Sequence, residues 1–312
     1  MSNKIFCFTC PPILLVFFNR PEVLRQNLLS LARIKPRKLY LACDGPRSNR
    51  SDDHLHVMEC RRIANELVKW DCDIETLYTE FNYGCDTWVP NAISWFFSKV
   101  DSGIVLEDDC IINEGFARFS AEMLEKYRGE HRVMNISASN FQQNIWGDGD
   151  YYFSAYPSNW GWASWARAWK KYDSDMVKIS NFINSSEFSK FMPDKEQQRY
   201  WMRFYEGLRS QKYTFWDAKW LLSIWANQGI SITPNMNLVT NIGFDKSATH
   251  TKNKTSEDDL MICNAPSLFK DPIGSYLVRN DADRYLFLRR YKPKFLAKLN
   301  AAYRRAVDSF FK

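Results

Sequence analysis

Gly103-Ile-Val-Leu-Glu-Asp-Asp109 is an apolar run that stops at three consecutive acids. An unbroken stretch of this kind, bounded by glycine on one side and charge on the other, reads as a buried strand of a parallel sheet, because such strands are covered on both faces. Ligands of open α/β sheets gather at the carboxyl ends of the strands, so Glu107, Asp108 and Asp109 stand where a substrate binds. Adjacent carboxylates repel one another unless a cation is shared between them, and a hard divalent ion with oxygen ligands supplies that cation. A diphosphate would form the other half of such a site. The plainer alternative is that the acids open the next helix, with Asp109 or Asn113 as its cap.

Upstream, Pro12-Ile-Leu-Leu-Val-Phe-Phe18 reads as a first buried strand, and Asn19-Arg-Pro-Glu22 leads into a helix to about Ile34, with Pro21 in the first turn where no donor is needed. Lys38–Cys43 is a second strand ending at Asp44-Gly-Pro-Arg47, and a helix follows over about residues 53–69. Thr76-Leu-Tyr78 is a third, shorter strand, and Asn82-Tyr-Gly-Cys85 breaks the chain before a helix over Pro90–Lys99. The alternation predicts an α/β fold with a mostly parallel sheet and right-handed crossovers. Neither Gly-x-Gly-x-x-Gly after the first strand nor a Gly-Lys-Ser/Thr loop is present, so an ordinary dinucleotide fingerprint and a P-loop are unsupported.

Downstream, a helix near Phe116–Tyr127 and a strand Val133–Ser137 precede a Trp/Gly/Asp/Tyr-rich stretch that reads as irregular through residue 162. Asn159-Trp-Gly-Trp-Ala-Ser-Trp165 sets three indoles around one glycine, which suits either a flat wall for sugar rings or an ordinary core. We expect one domain over residues 1–275, with a donor half at about 11–115 and an acceptor half at about 116–275, followed by a basic segment, 276–312.

Net charge is +6, yet Arg284–Lys312 holds nine Lys/Arg against one Asp, leaving −2 for residues 1–283. Phe295, Leu299, Ala302, Tyr303, Val307 and Phe310 recur there at helical spacing among basic residues, the pattern of an amphipathic helix that lies on an anionic membrane or docks on the core. No nucleic-acid motif accompanies the charge, so nucleic acid is not an expected partner. No apolar segment reaches membrane-spanning length and the first residues lack a signal-peptide core, which leads us to expect a cytoplasmic protein, peripheral on the inner membrane face. The eight cysteines are scattered, as suits reduced thiols, and Cys7-Phe-Thr-Cys10 is not followed promptly by the helix a redox motif needs. His54 and His56 lie in a polar segment without zinc-ligand spacing.

Phe17-Phe-Asn-Arg-Pro21, Asp44-Gly-Pro-Arg47, Asn82-x-Gly84, Leu106-Glu-Asp-Asp109 and Trp160-Gly-Trp-Ala-x-Trp165, in this order, resemble the nucleotide-diphospho-sugar transferases of the GT-A fold. The nearest likeness is to bacterial haemolysin-like glycosyltransferases, and a more distant one is to the N-acetylglucosaminyltransferase I family, over roughly residues 11–250. The resemblance implies a metal-dependent, inverting hexosyltransferase of surface-polysaccharide synthesis that uses a UDP-sugar and a glycan or lipid-linked glycan acceptor. It places Phe17, Arg20, Asp44, Arg47, Asn82 and Gly84 at the nucleotide, with Arg20 near the phosphates and Asp44 on the uracil edge. It also implies Asp109 as ligand of Mn²⁺ or Mg²⁺, and Glu107 and Asp108 on sugar or ribose. Phe215-Trp-Asp217 resembles the family's Trp-Asp element, which makes Trp216 a donor contact and Asp217 the general base. Ala218 stands where the family has a second acid, so Glu206 and Asp245 are the reserve bases. Thr249-His250 resembles a Ser-His pair near diphosphate and metal.

The same acids would also serve a metal-dependent phosphohydrolase or nucleotidyltransferase acting on a nucleotide diphosphate. A non-catalytic nucleotide- or sugar-binding scaffold at a membrane surface is the alternative outside enzymology.

Overall fold

A computed structural model of the chain describes residues 8–142, 144–243, 261–274 and 276–292. The first half alternates as expected: β1 (Ile13–Phe17), α1 (Pro21–Ile34), β2 (Lys38–Cys43), α2 (Asp53–Leu67), β3 (Asp73–Tyr78), α3 (Cys85–Lys99) and β4 (Ser102–Glu107). Every residue of β1 is buried, which is why its sequence shows no polar alternation. α1 starts on Pro21 and ends at Lys35, whose left-handed backbone (φ 53°) sends its N–H to Leu31 O, with Pro36 barring continuation. α3 begins at Cys85, five residues ahead of the expected Pro90. Proline at the first helical position is the stronger signal, but Pro90 sits in the second turn and forgoes only its own backbone bond.

The acids do not open a helix. Asp108 and Asp109 form a tight turn into β5 (Cys110–Ile112), and α4 (Glu114–Lys126) is capped by Asn113, whose Oδ1 accepts the Phe116 N–H at 3.2 Å. β6 (Val133–Ser137) follows. The stretch expected to be irregular contains one strand, β7 (Tyr151–Ser154), and ends on the first residue of another, β8 (Trp162–Trp165), both wholly buried. Burial on both faces removes the period-2 signal, and glycine-rich flanks hide their ends. Helices α5 (Ala166–Trp169), α6 (Val177–Ile183), α7 (Ser186–Phe191), α8 (Lys195–Arg209) and α9 (Trp216–Ala226) lead to β9 (Ile230–Pro234) and β10 (Val239–Asn241). α10 (Asn280–Leu286) then runs into a π-helical turn, Phe287–Tyr291.

Among the described residues, eight strands form one mostly parallel sheet in the order β3-β2-β1-β4-β8-β6-β9-β7, in which β8 and β7 run against the rest. β5 and β10 make a separate antiparallel pair. The strand order advances outward from β1 to β3, then returns to place β4 on the other side of β1. That reversal is a topological switch point, where the loops after β1 and β4 part to leave a crevice.

Helices cover both faces. On one, Leu24, Leu28 and Leu31 of α1, Ile63 of α2 and Phe119 of α4 share a core with Ile104 and Leu106. On the other, Phe96 of α3, Ile179 of α6, Trp201 of α8 and Trp220 of α9 share a core with Val105. The first turns of the segment expected as a separate tail belong to this body: Arg279 N–H donates to Phe153 O, and Ala282, Asp283 and Phe287 are buried. Phe295–Phe310 lie outside the described residues, and so do Asp245, Thr249 and His250. Among the described residues no helix is long and apolar enough to cross a membrane.

Candidate active site

Strand geometry aims the acids. Side chains alternate across a strand, so Glu107 shares the face of Val105, the side occupied by Trp162 of β8 and the tryptophans of α9, while Asp108 turns toward α1. Glu107 and Asp109 line a cavity of about 480 Å³ together with Arg20, Trp160, Trp216 and Asp217. The sheet's switch point and the N-terminus of α9 thus open onto one space.

Arg20, three residues past β1, donates to both Asp108 oxygens and to Asp109 Oδ2, the last at 2.9 Å. Burial works against the guanidinium charge, yet the two carboxylates outweigh it and hold Arg20 protonated. Asp108 is 3% exposed. Burial pushes its carboxyl up while Arg20 opposes the shift. Burial, followed by the Asp109, Asp108 and Asp217 charges, pushes Glu107 well above the carboxylate range, and Arg20 only partly offsets this. A cationic ligand at the cavity would favour the charged forms of these carboxyls.

The acidic turn is pinned from below. Asn27 of α1 is buried, and its Nδ2 lies 3.2, 3.2 and 2.9 Å from the carbonyl oxygens of Glu107, Asp108 and Cys110. From above, the β5–β10 pairing sets Asn241 opposite Cys110, and Asn241 Nδ2 donates to Asp109 Oδ1 at 3.3 Å. Ile242 N–H donates to the Asp109 carbonyl at 2.9 Å. A Cβ on Gly243 would lie 2.1 Å from Asp109 Oδ2, so any larger residue there would have to displace that carboxylate or lift the loop that passes over it. Neither Asn27 nor Gly243 stands in a recognisable motif. Sequence offered no signal for them beyond a polar residue on an otherwise apolar helix face.

Asp217 occupies the second position of α9, is exposed, and accepts its own neighbour's Ala218 N–H at 2.9 Å. Trp216, buried at 5% exposure, sets the adjoining wall, where its ring centre lies 6.4 Å from that of Trp162. In the Trp-Gly-Trp motif Trp162 and Trp165 are core residues, and Trp160 lines the cavity. Glu206 lies on the exposed side of α8, away from this lining.

The remaining predicted residues form a second cluster at the end of β2. Asp44 accepts the N–H groups of Gly45, Tyr83 and Gly84 at 2.9–3.1 Å and Asn82 Nδ2 at 2.9 Å. Burial raises its carboxyl, and the Tyr83, Gly84 and Gly45 N–H groups offset only part of the rise. Its oxygens brace the Asn82–Gly84 loop, so a uracil imide would compete with contacts already made. Gly84 takes φ +78°, which explains the glycine at that place in the motif. Arg47 Nη2 pairs with Asp53 Oδ1 at 2.8 Å, and Asn19 Nδ2 joins the same oxygen at 2.7 Å. Phe17 is a core residue whose ring packs edge-on against Tyr78.

Asp109 fits a divalent ion as a single hard-oxygen ligand at the cavity wall, and Glu107 adds a second carboxylate. No group of three metal-ligating side chains occurs among the described residues, so the remaining ligands would be phosphate oxygens and water.

No family model and no curated protein sequence matches this chain. Solved structures similar to it include a 4-diphosphocytidyl-2C-methyl-D-erythritol synthase from Anaerococcus prevotii, at 11% identity over 55% of this chain and 84% of that one, with TM-score 0.30. HddC from Yersinia pseudotuberculosis shows 8% identity over 50% and 77%, with TM-score 0.31. A UDP-glucose pyrophosphorylase complexed with UDP-glucose shows 8% over 72% and 90%, with TM-score 0.34.

Proposed function

We propose that the chain is a metal-dependent, inverting glycosyltransferase of GT-A type that moves a sugar from a nucleotide sugar, a UDP-sugar, to a hydroxyl of a glycan acceptor. The observation that carries this is the shared cavity: the Glu107–Asp109 end of β4 and the Asp217 end of α9 open onto it beside the Trp160 and Trp216 indoles. The acceptor in this reading is a lipid-linked glycan of surface-polysaccharide assembly, met at the cytoplasmic membrane face.

Asp217 takes the proton of the acceptor hydroxyl as its oxygen forms the new bond to the anomeric carbon. The bond from that carbon to the diphosphate oxygen breaks on the opposite face, and nucleoside diphosphate departs. Arg20 stands by for phosphate oxygens, exchanging its Asp109 contact for them. Mn²⁺ or Mg²⁺ held by Asp109 and the donor phosphates would neutralise the charge that builds on the leaving group. Asn27 and Asn241 keep Asp109 in place, and the indoles supply flat apolar faces for sugar rings.

The test is thermal unfolding with UDP, GDP, CDP and dTDP, each with and without Mn²⁺, on wild type and Asp109→Ala. A ligand at a hundred times its dissociation constant stabilises by about 2.7 kcal/mol, a shift of several degrees at this chain length. UDP is expected to stabilise only with Mn²⁺, and only wild type. Silence under all conditions would turn attention to a scaffold role, and release of pyrophosphate or phosphate in place of nucleoside diphosphate would identify a nucleotidyltransferase or phosphohydrolase instead.

A further inference from the structure

The strand ends away from the acids carry a second cavity. Through β8 and β6, β9 runs parallel to β4, so Ile230, its first residue, lies at the sheet edge opposite Glu107, the last residue of β4. A cavity of about 540 Å³, in the range of small-molecule sites, opens there between that edge, the turn into α8 and residues 276–278. Ala155, Phe191, Met192, Ile230 and Val278 give it mostly aliphatic walls, and Leu277 stands at its rim, 71% exposed. Tyr156 is the one described residue that lines both this cavity and the one holding Glu107, Asp109 and Asp217.

The polar groups left over in this lining are donors. Gln197 of α8 is 5% exposed. The Trp201 indole N–H, which can only donate, reaches Tyr156 Oη at 3.0 Å, so the Tyr156 hydroxyl gives its own proton to Gln197 Oε1. That fixes the amide and leaves Gln197 Nε2 on the cavity wall without a hydrogen-bond partner among the described residues. A buried amide N–H in that state calls for an acceptor. Arg132, exposed just ahead of β6, lines the same space, and its guanidinium has no partner among the described residues either. The two acids of the lining are engaged. Asp283 accepts the Ala155 N–H at 2.8 Å and the Ser154 hydroxyl, and Asp194 pairs with Arg284 while accepting the Glu196 and Gln197 N–H groups at 2.8 and 3.2 Å. A cation, an amide donor and aliphatic walls suit a ligand with an anionic oxygen at one end and hydrocarbon at the other.

We propose that this second cavity binds a small amphipathic anion, a carboxylate or a phosphate carried on an alkyl chain. Arg132 meets the head group, Gln197 Nε2 donates to one of its oxygens, and the chain lies against Ala155, Met192 and Ile230. The site is separate from the catalytic cavity and does not depend on the transferase reading.

The test is calorimetric titration of the full chain with octyl phosphate, octanoate, octyl β-glucoside and inorganic phosphate, the octyl probes and octanoate kept below their micelle-forming concentrations. Wild type is expected to bind the better of the two amphipathic anions about tenfold or more tighter than the neutral glucoside, in line with a charge-assisted hydrogen bond. It should also prefer that anion about tenfold or more over inorganic phosphate, because the chain adds apolar burial. Whichever anion binds tighter names the head group. Arg132→Gln is expected to bring anion and glucoside within about twofold of each other, and Leu277→Asp, which sets a carboxylate at the rim, to weaken the anions about tenfold. Both side chains are exposed, so the variants should melt within about two degrees of wild type. Wild type that binds no amphipathic anion, favours the glucoside or takes inorganic phosphate equally well overturns the proposal. So does an Arg132→Gln variant that discriminates as wild type does. Loss of anion binding under saturating UDP and Mn²⁺ overturns it too, because the probe then occupies the catalytic cavity.

Discussion

Asp109 owes its position to neighbours that carry no chemistry themselves, and Gly243 gives the sharpest way to see this. A methyl group placed there meets Asp109 Oδ2 at 2.1 Å and the carboxyl carbon at 2.8 Å. Gly243→Ala must therefore push the carboxylate aside or lift the loop that β10 delivers. Because the overlap is with the tip of a side chain at a loop, the fold should absorb it at a cost of roughly 1–2 kcal/mol. Metal-dependent nucleotide binding should fall at least as far as in Asp109→Ala, and the melting temperature without ligands should fall by only a few degrees. An undiminished UDP–Mn²⁺ response in Gly243→Ala would show that Asp109 does not need its observed position to work. Asp217→Asn provides the complementary case. It keeps the α9 N-terminus and the Ala218 contact but removes the proposed base, so on the transferase reading product formation should drop about a hundredfold or more with the UDP–Mn²⁺ shift intact. A variant that keeps its turnover would remove Asp217 from the mechanism.

At the scale of elements, α10 is held to the sheet by a group that is ionised at some expense. Asp283 is buried, accepts the Ala155 N–H at 2.8 Å and the Ser154 hydroxyl at 2.5 Å, and is pushed by burial from 3.8 up to about 7, with the nearby Asp281 charge adding to the rise. The uncharged phenols of Tyr152, Tyr156 and Tyr291 face the same region. With the folded pKa above the unfolded one, the native state binds the extra proton between about pH 4 and 7. Stability from this group is therefore present below pH 4 and lost as pH rises through 7, at ~1.4 kcal/mol per unit. Asp283→Asn keeps the acceptor for Ala155 and turns the other contact around, so Nδ2 donates to Ser154 Oγ. The variant should gain on wild type in melting temperature from about pH 4 to 7 and level off above that; a constant difference across that range would mean Asp283 stays ionised throughout. The sequence made β1, α1, β2 and β4 legible because each is a run whose period and end signals agree. It hid β7 and β8, where burial on both faces erased alternation, and it hid α10, whose apolar face is short and interrupted by Asp281 and Asp283. The acids at 107–109 were visible as chemistry. Asn27, Asn241 and Gly243, which fix them, were not, because their partners lie 80 or more residues away and no local pattern records such pairing.

For the whole molecule, the question is where the folded body ends. Composition changes near residue 284, where basic residues begin to dominate, but packing does not change there. Ala282, Leu286 and Phe287 are buried, Arg284 pairs with Asp194 at the start of α8, and Lys292 Nζ lies 2.9 Å from Glu196. Removing everything after residue 279 would expose Leu286 and Phe287 partners on α8 and open the cavity wall that Arg290 and Tyr291 complete. At ~1.5–3 kcal/mol for each large apolar side chain, the loss is roughly 4 kcal/mol, a large share of what holds a domain folded. Ending the chain after residue 292 instead keeps all of these contacts and takes away only the stretch with Lys294, Lys298, Arg304, Arg305 and Lys312. The shorter truncation should melt several degrees lower and lose its UDP–Mn²⁺ response, whereas the chain ending at 292 should retain both. If the basic stretch serves an anionic surface, the full chain should sediment with phosphatidylserine vesicles at low salt, should release as ionic strength shortens the screening length, and should lose that binding on truncation at 292. Vesicle binding that is unchanged in the 292 truncation would locate the membrane contact within residues 1–292 and leave the terminal basic residues without that role.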